Sequence, residues 1–544
     1  MQTKYFAILF ILFLAVSAVV IGTDTIDLIY YAFRSFLRMI SAYGISIIFS
    51  FIFGILIIHN KKIYEYIFPM LDILQAIPIL GFFPFAILFF MNIFPGGILG
   101  QEFSSIFLIF TSMTWAIIFA VIESGTSIIN EIRDLAKILN LNGMKYLTQI
   151  VFPITFPQFI SGSIAGWGGG WYFLVAAEYL SLGNTRIDLP GIGAYIAKSA
   201  FSFNFVHSFF GIAMLAFVVS GMNIYVWQPL LSKARIFSFK PIIDEDSRRK
   251  EDGFLVKVLQ YIYGKIKYLL EKVHKPTEGL FTFLSVTPSH SSSNEKINNT
   301  ISYFLIGSIT VVLLYFLFFN PPLLQGFSFI PFVLYSTLRI LIAFIISLVW
   351  TSAIAIFLAR NKSVMSFLMP LFDLGQSIPA VAIFPIIVVF VIQVISKILN
   401  FEISLEIASI LVVITGMQWY FLFNLIRAVQ TIPDEILELS TLFNLKTLER
   451  FRHIMIPAIM PAVFVGSLEA IGGGWNASII SEYIMSPEST PYPMKGIGFL
   501  LSTSSANGDI NGVIISVCAI TLLVLIPHQF VWKKLIRESY KYKF

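Results

Sequence analysis

The sequence predicts an all-α polytopic membrane protein, made of two tandem six-helix units related by a parallel pseudo-twofold. Hydrophobic residues make up 57% of the 544 residues and charged residues only 12%, and the mean hydropathy is +0.85. A soluble chain of this length carries about 25% charged residues, so polar surface could not cover this much apolar material. About twelve apolar stretches are long enough to span a bilayer, and the second six repeat the first.

Each span is an apolar stretch of roughly 20 residues. The first could instead be a cleavable signal peptide, because Lys4 precedes an apolar run and Val16-Ser17-Ala18 resembles a cleavage site. The length of that run and an equivalent leading span in the second half favour retention. Prolines break the third span of each set. The candidate spans lie near 5–22, 41–59, 69–92, 104–123, 155–180 and 207–230, and near 302–319, 335–359, 369–396, 406–428, 459–484 and 513–532.

The distribution of loop charge predicts the orientation, because cytoplasmic loops carry an excess of Lys and Arg. The short loops at 59–62 and 360–362 and the C-terminal tail are basic, whereas 92–100 and 320–332 contain no Lys or Arg. We therefore expect a multi-pass protein of the plasma (inner) membrane with both termini cytoplasmic. The net charge of +6 has the same origin and does not indicate a nucleic-acid partner.

Catalytic and metal-binding patterns are missing from the sequence. Cys518 is the single cysteine, and the six histidines are scattered. There is no His-Glu-x-x-His, Gly-x-Ser-x-Gly or Gly-x4-Gly-Lys-Ser/Thr motif. We expect no catalytic residue, metal or cofactor in this chain, so any energy source belongs to another subunit.

The chain divides into 1–230, a hydrophilic linker at 231–300, and 301–544. Within the linker, apolar residues from Leu255 to Val273 recur at helical spacing, with lysines between them. This pattern predicts a basic amphipathic helix on the inner leaflet. A plain tether remains the alternative.

The two halves are copies of each other. The residues Pro69, Asp72, Gln75, Pro78 and Pro84 recur at an offset of 301, and a later block from Asn140 to Tyr179 recurs at 304. A third block containing Gly191 and Gly193 recurs at 305. An even number of spans per copy inserts both copies in the same orientation, unlike inverted repeats.

The longest loop within each half joins spans four and five, at 124–152 and 429–456. In both copies an acid begins a short amphipathic helix, an asparagine takes positive φ where glycine is usual, and a proline opens the next span. An ordinary helical hairpin would also fit this pattern. The residues concerned are Asp134, Leu135, Ala136, Asn140 and Pro153, and Glu438, Leu439, Ser440, Asn444 and Pro457.

This spacing resembles the EAA loop of the permease subunits of ABC importers, the binding-protein-dependent transport family. The resemblance covers both halves but not the linker. Glu-Ala-Ala is here Asp-Leu-Ala and Glu-Leu-Ser, and the family glycine is asparagine in both copies. The resemblance implies that the loops dock into two cytoplasmic ATPase subunits, which bind the ATP. It also implies an extracellular or lipid-anchored solute-binding protein as a partner.

Within the family, the halves resemble the nitrate/sulfonate/taurine branch. The supporting residues are Gly170-Trp171, Val175-Ala176-Ala177-Glu178 and Gly191-Ile192-Gly193, with a weaker second copy at Gly474-Trp475, Ser481-Glu482 and Gly496-Ile497-Gly498. We therefore expect a fused permease that forms the pathway for a small solute, an anion by this resemblance. A 6+6 secondary transporter that does not use ATP is the alternative. An intramembrane enzyme is a second rival, against which the missing catalytic motifs argue.

Buried polar residues are candidates for the translocation pathway or its gates, because acids inside a membrane usually face a cavity or a partner. The alternative is that the acids cap the broken helices or pair across the pseudo-dimer. A role as packing anchors is the alternative for the tryptophans, since the adjacent glycines at 168–170 and 472–474 allow close helix packing. The candidates are Asp72, Gln75, Trp171, Glu178, Asp373, Gln376, Trp475 and Glu482.

Overall fold

A computed structural model describes residues 2–95, 97–128, 130–141, 143–182, 185–202, 204–234, 295–318, 329–377, 380–430, 446–483 and 494–539, with isolated positions between 431 and 445. Most of the linker lies outside these ranges, and with it the predicted amphipathic helix. The first half contains α1 (Gln2–Val20), α2 (Asp24–His59), α3 (Lys61–Ala76), α4 (Ile79–Ile93), α5 (Ile98–Thr126), α6 (Asn130–Ile138), α7 (Met144–Tyr146), α8 (Phe152–Glu178), α9 (Ile192–Phe201), α10 (Phe205–Met222) and α11 (Gln228–Ala234).

The second half repeats this order. It contains α12 (Glu295–Phe318), α13 (Phe329–Arg360), α14 (Lys362–Ser377), α15 (Ala380–Ile395), α16 (Phe401–Gln430), α17 (Thr447–Arg450), α18 (Ile456–Ser481), α19 (Ile497–Ala506), α20 (Ile510–Pro527) and α21 (Lys533–Ser539). Within the described ranges, nine helical segments are long and apolar enough to cross a membrane. Three shorter apolar helices, Tyr5–Val20, Phe83–Ile93 and Ile386–Ile395, fall at other predicted spans. The predicted all-α membrane class with two tandem units is confirmed.

One short hairpin is added to this helical fold. Strands β1 (Tyr179–Leu182) and β2 (Thr185–Asp188) pair antiparallel, with Tyr179 opposite Asp188. The hairpin follows α8 directly and is tied to α9 by an ion pair of 2.6 Å between Lys198 Nζ and Asp188 Oδ1. It therefore connects the end of the fifth span to the short helix that precedes the sixth.

The third span of the first half is broken, as its prolines predict. Helix α3 ends at Ala76, and Pro78 at the N-cap of α4 follows an extended Ile77. Proline cannot donate a backbone hydrogen bond and disfavours helical backbone in the residue before it, so the break falls there.

Each half is built around its second, fourth and fifth spans. Helix α5 packs between α2 and α8, and α16 packs in the same way between α13 and α18. Glycine permits this close approach: a Cβ added to Gly162 on α8 would lie 2.6 Å from the carbonyl oxygen of Ala116 on α5.

The third span of each half packs on the other half. Helix α3 lies against α12 and α20, and α14 lies against α8 and α10. Helix α4 contacts α18, and α15 contacts α8 in the equivalent way. Because these contacts are reciprocal, the two halves are related as the parallel pseudo-twofold predicts.

Candidate functional site

The first of the two long loops has the predicted helix–turn–helix form. Helix α6 ends at Ile138, and Asn140 adopts φ 49°, as the sequence predicts. The turn is closed by backbone hydrogen bonds from Leu141 N to Ala136 O (2.9 Å) and from Asn140 N to Lys137 O (3.0 Å). Asparagine enters the left-handed region more readily than other non-glycine residues, so the bend survives the loss of the family glycine.

The loop has one buried face and one exposed face. Ala136 is fully buried in a small cluster with Ile128, Tyr146, Leu147 and Val151, which explains the small residue of the motif. The opposite face of α6 is apolar and open. Its residues Leu135, Ile138 and Leu139 are 50%, 77% and 58% exposed.

In the part of the chain that the structure describes, the exposed acid Asp134 pairs with Lys137 of the same helix, at 2.9 Å. Such an exposed pair contributes little stability. Asp134 and an apolar ridge formed by Leu135, Ile138 and Leu139 thus face outward at the end of α6. Their exposed side chains contribute little to the stability of the fold. This geometry suits docking to another subunit.

The second loop is described at fewer positions. Leu442 and Phe443, which correspond to Ile138 and Leu139, are 76% and 75% exposed, and Glu438 is exposed as well. Leu439, Ser440 and Asn444 lie outside the described residues. The second loop therefore presents an apolar pair at the same place as the first.

The loop prolines lie in the first turn of the next spanning helix, as predicted, and a π-helical turn precedes each of them. A π-helical turn, Leu147–Val151, runs without a break into α8, where Pro153 lies in the first turn. The same arrangement recurs at Phe451–Met455 and Pro457. A proline inside a helix removes one hydrogen bond and clashes with the carbonyl four residues earlier, and a wider turn accommodates both. Each loop is therefore continuous with its fifth span.

A buried polar network joins four segments of the first half. Arg38 on α2 donates from Nη1 to Glu178 Oε1 at 2.7 Å, and from Nε and Nη2 to the Glu102 carboxylate at 2.6 and 2.8 Å. Ser35 Oγ donates to Glu178 Oε1 at 2.6 Å, and the Gly193 N–H donates to Glu178 Oε2 at 2.8 Å. Glu178 is completely buried, and both of its carboxylate oxygens accept hydrogen bonds from these three groups, Arg38, Ser35 and the Gly193 N–H.

The second half contains the same network. Arg339 donates from Nε and Nη2 to the two oxygens of Glu406, both at 2.5 Å, and its Nη1 lies 3.0 Å from Glu482 Oε1. The Gly498 N–H donates to Glu482 Oε2 at 2.7 Å. The neighbouring N–H of Ile497, at the start of α19, donates to Ser336 Oγ at 2.8 Å. The residues recur at the offsets of the three sequence blocks, 301, 304 and 305.

The sequence reasoning singled out Glu178 and Glu482 but missed their arginine partners. Arg38 and Arg339 lie at an offset of 301, and Glu102 and Glu406 at 304, so a search of the repeat for charged pairs would have found them. The geometry favours a positioning role for Glu178 and Glu482. Their pathway role stays a prediction.

Comparison with known proteins agrees with this geometry. Residues 46–234 and 351–531 match the family described as the binding-protein-dependent transport system inner membrane component. The chain belongs to this family. The two matched segments cover both long loops and the glutamates of both buried networks, while Arg38 and Arg339 lie shortly before each segment, so the chain carries two family units.

Among curated relatives, the chain is similar to the nitrate import permease protein NrtB of Synechocystis sp., at 28% identity over 164 residues, 30% of this chain and 54% of that protein. It is similar to the bicarbonate transport system permease protein CmpB of Synechococcus elongatus, at 26% identity over 162 residues, covering 30% and 54%. A putative ABC transporter permease of Methanocaldococcus jannaschii is 26% identical over 158 residues, covering 29% and 56%. The chain thus spans about half the length of these relatives.

Asp72, the other candidate acid of the first half, lies between the two halves. Asp72 on α3 is half-buried, and its Oδ2 lies 3.8 Å from Nζ of Lys533 in α21. This pair is of the kind that the packing alternative predicts, across the pseudo-dimer. Gln75, one turn away, is exposed, and so is Gln376. The side chain of Asp373 lies outside the described residues.

The two candidate tryptophans are packed in the core of their own halves. Trp171 and Trp475 are both buried, and Trp171 meets Trp167 edge to face at 6.2 Å between ring centroids. The glycine beside each is packed against a methionine, Gly170 against Met113 and Gly474 against Met417. These contacts support the packing-anchor alternative.

Proposed function

We propose that this chain forms the whole transmembrane pathway of an ATP-binding-cassette importer for a small solute, an anion of the nitrate, sulfonate or taurine type. Two cytoplasmic ATPase subunits bind the ATP and dock on the two long loops. A solute-binding protein, soluble outside the cell or lipid-anchored, delivers the solute to the opposite face. The protein lies in the plasma (inner) membrane with both termini cytoplasmic.

The duplicated loop is the observation that carries this proposal. Each copy presents an exposed apolar pair, Ile138 with Leu139 and Leu442 with Phe443, on an otherwise polar turn. Each loop is continuous through a π-helical turn with a central span, α8 or α18. A force on the loop is therefore transmitted directly to the helices between the two halves, which is what coupling to ATPase closure requires.

The anion part of the proposal is supported by the relatives. Those named above are a nitrate permease and a bicarbonate permease, and both solutes are small oxyanions. Both buried carboxylates of the network, Glu178 and Glu482, are already paired with arginine, so they do not repel an anion as free charges would.

The test is ATP-dependent uptake by the complex reconstituted in proteoliposomes with its ATPases and binding protein. We expect uptake to require ATP, to be competed by small oxyanions or organosulfonates, and to be insensitive to neutral sugars. Competition by a sugar alone would contradict the proposal that the solute is an anion. Uptake without ATPases, driven by an ion gradient, would instead support a 6+6 secondary transporter.

Charge reversal on the loops tests the docking itself. Asp134→Lys and Glu438→Lys should weaken ATPase binding or uncouple hydrolysis from uptake while leaving the membrane fold intact, because both carboxylates are exposed. Lys145→Glu, on the exposed side of the same loop but outside the α6 ridge, serves as the control. Normal coupled uptake in both loop variants would contradict the coupling role.

A further inference from the structure

A tyrosine near the C-terminal end of the fifth span of the first half reaches the middle of α16 in the second half. A Cβ added to Gly416 on α16 would lie 3.1 Å from the hydroxyl of Tyr172 on α8. That hydroxyl is buried, and among the described residues it has no hydrogen-bond partner. A buried tyrosine hydroxyl usually has one, so Tyr172 points to a polar group that the described part of the chain does not supply.

Next to Tyr172, α16 presents three polar side chains on one face. Tyr420, Asn424 and Arg427 follow each other at spacings of four and three residues, which places them on the same side of a helix. Tyr420 is close enough to Tyr172 for the two side chains to interact electrostatically, yet it remains 42% exposed. Tyr420 therefore borders the other half and has an uncovered side, which faces a space beside Tyr172.

A carboxylate from the fifth span faces the same space. Glu469 on α18 accepts a hydrogen bond of 2.7 Å from Asn424 Nδ2 to its Oε2, and Arg427 lies close enough to attract it electrostatically. Glu469 is exposed although it lies midway along a spanning helix. A charged side chain facing lipid at that depth is costly, so a polar cavity is the favourable surrounding.

Most of this polar group belongs to the second half alone, and only the position of Arg427 is also polar in the first half, where Glu123 stands. At the equivalent positions of the first half, offset by 304, Ala116, Ala120 and Ala165 replace Tyr420, Asn424 and Glu469. The helix spacing differs accordingly. A Cβ on Gly162 would lie 2.7 Å from Cβ of Ala120, whereas a Cβ on the equivalent Gly466 would lie 3.6 Å from Cβ of Asn424. At the level of Gly466, the second half therefore leaves more room between its fourth and fifth spans than the first half does at Gly162.

We propose that Tyr172, Tyr420, Asn424, Arg427 and Glu469 form a solute-binding site in the pathway, with its charged groups supplied by the second half. The site suits a small solute that carries both a protonated amine and an acidic group. Glu469 accepts hydrogen bonds from the amine, Arg427 attracts the acidic group, and the Tyr172 hydroxyl gains a partner. An oxyanion without a donor leaves the Glu469 carboxylate opposed by a like charge. This inference rests on the proposed importer function and narrows its substrate class.

The test compares labelled 2-aminoethanesulfonate with 2-hydroxyethanesulfonate and nitrate in ATP-dependent uptake by the reconstituted complex. The two sulfonates differ only in the amine. We expect the aminosulfonate to be taken up, and Glu469→Gln to lower that uptake about tenfold or more, since hydrogen bonds to charged groups are worth about 1.5–3 kcal/mol. Tyr172→Phe removes only the hydroxyl and should lower it about three- to tenfold.

Glu402→Gln is the matched control, because Glu402 is an exposed acid in the first turn of the same helix as Asn424 and lies outside the site. It should transport like the wild type, and all three variants should retain the ATPases. ATP-dependent uptake that Glu469→Gln and Tyr172→Phe leave unchanged would overturn the site but not the importer function. Uptake of nitrate and of both sulfonates at equal rates would overturn the substrate class. Absence of ATP-dependent uptake of any anion by the wild type would instead count against the proposed function.

Discussion

Arg38 and Glu178 form a buried ion pair, 2.7 Å between Nη1 and Oε1, and Arg339 and Glu482 form its counterpart in the second half at 3.0 Å. Each pair ties the second span to the end of the fifth. The additional bonds to Glu102 and Gly193 bring in the fourth span and the start of α9. The network thus fixes one end of each half, opposite to the end that carries the long loop.

Breaking the Arg38 pair should destabilise the protein strongly. Arg38→Met leaves Glu102 and Glu178 without their main partner and should cost about 3–5 kcal/mol of unfolding free energy, because it leaves a buried charge uncompensated. Arg34→Met, which removes a pair with Glu102 on a side chain that is 35% exposed, should cost about 0–1 kcal/mol. Thermal unfolding of the purified chain in detergent measures both. Equal midpoints for the two variants would contradict this role.

The Gly-Ile-Gly motif after the hairpin should tolerate no side chain. A Cβ on Gly191 would overlap the Glu178 carboxylate, and one on Gly496 would overlap that of Glu482. We expect Gly191→Ala and Gly496→Ala to lower the unfolding midpoint and the yield of folded protein. Gly168→Ala is the control, since a Cβ there meets no atom within 4 Å. A Gly191→Ala protein as stable as the Gly168→Ala protein would show that the network can move aside.

The first loop depends on the positive φ of Asn140. Asn140→Val should reduce ATPase binding and coupled uptake, because a β-branched residue at φ 49° is strained. Asn140→Gly should be mild, since glycine enters this region without strain. The amount of ATPase that co-purifies with each variant in a pull-down measures this effect. The reverse order, with glycine the more damaging change, would mean that the asparagine side chain and not the bend matters.

The orientation can be tested by labelling single cysteines in a Cys518→Ser background. Cysteines at Ser127, Ser247 and Thr447 should react only from the cytoplasmic side, and one at Ser328 only from outside, because basic and uncharged loops alternate. A membrane-impermeant thiol reagent applied to intact cells separates the two sides. Labelling of Ser247→Cys from outside would invert the orientation and remove the coupling role of the loops.

Much of the architecture could be predicted from the sequence, since span length and hydropathy fix where a chain crosses a membrane. The repeat, the broken third span and the positive φ of Asn140 followed from the residue pattern. The partner of Glu178 was not predicted, because Arg38 is more than a hundred residues away and only the fold joins them. The contact between Asp72 and Lys533 likewise depends on how the halves cross.

Glu469 was missed for a different reason. The candidate residues predicted from the sequence recur in both halves, whereas Glu469 has Ala165 as its counterpart. An acid in the middle of an apolar span was a signal in itself, since such residues are costly unless they face a cavity. A duplicated chain can diverge at its pathway while its structural network is kept in both copies. Residues shared by the two halves therefore identify the structural network, but they do not identify a binding site that only one half contains.

Stoichiometry tests the central proposal most directly. Native mass spectrometry of the complex, purified through a tag on this chain, should show one copy of the chain with two ATPase subunits and no second permease. Two loops on one chain require this result. A complex with a single ATPase per chain, or one that contains a second permease subunit, would contradict the account.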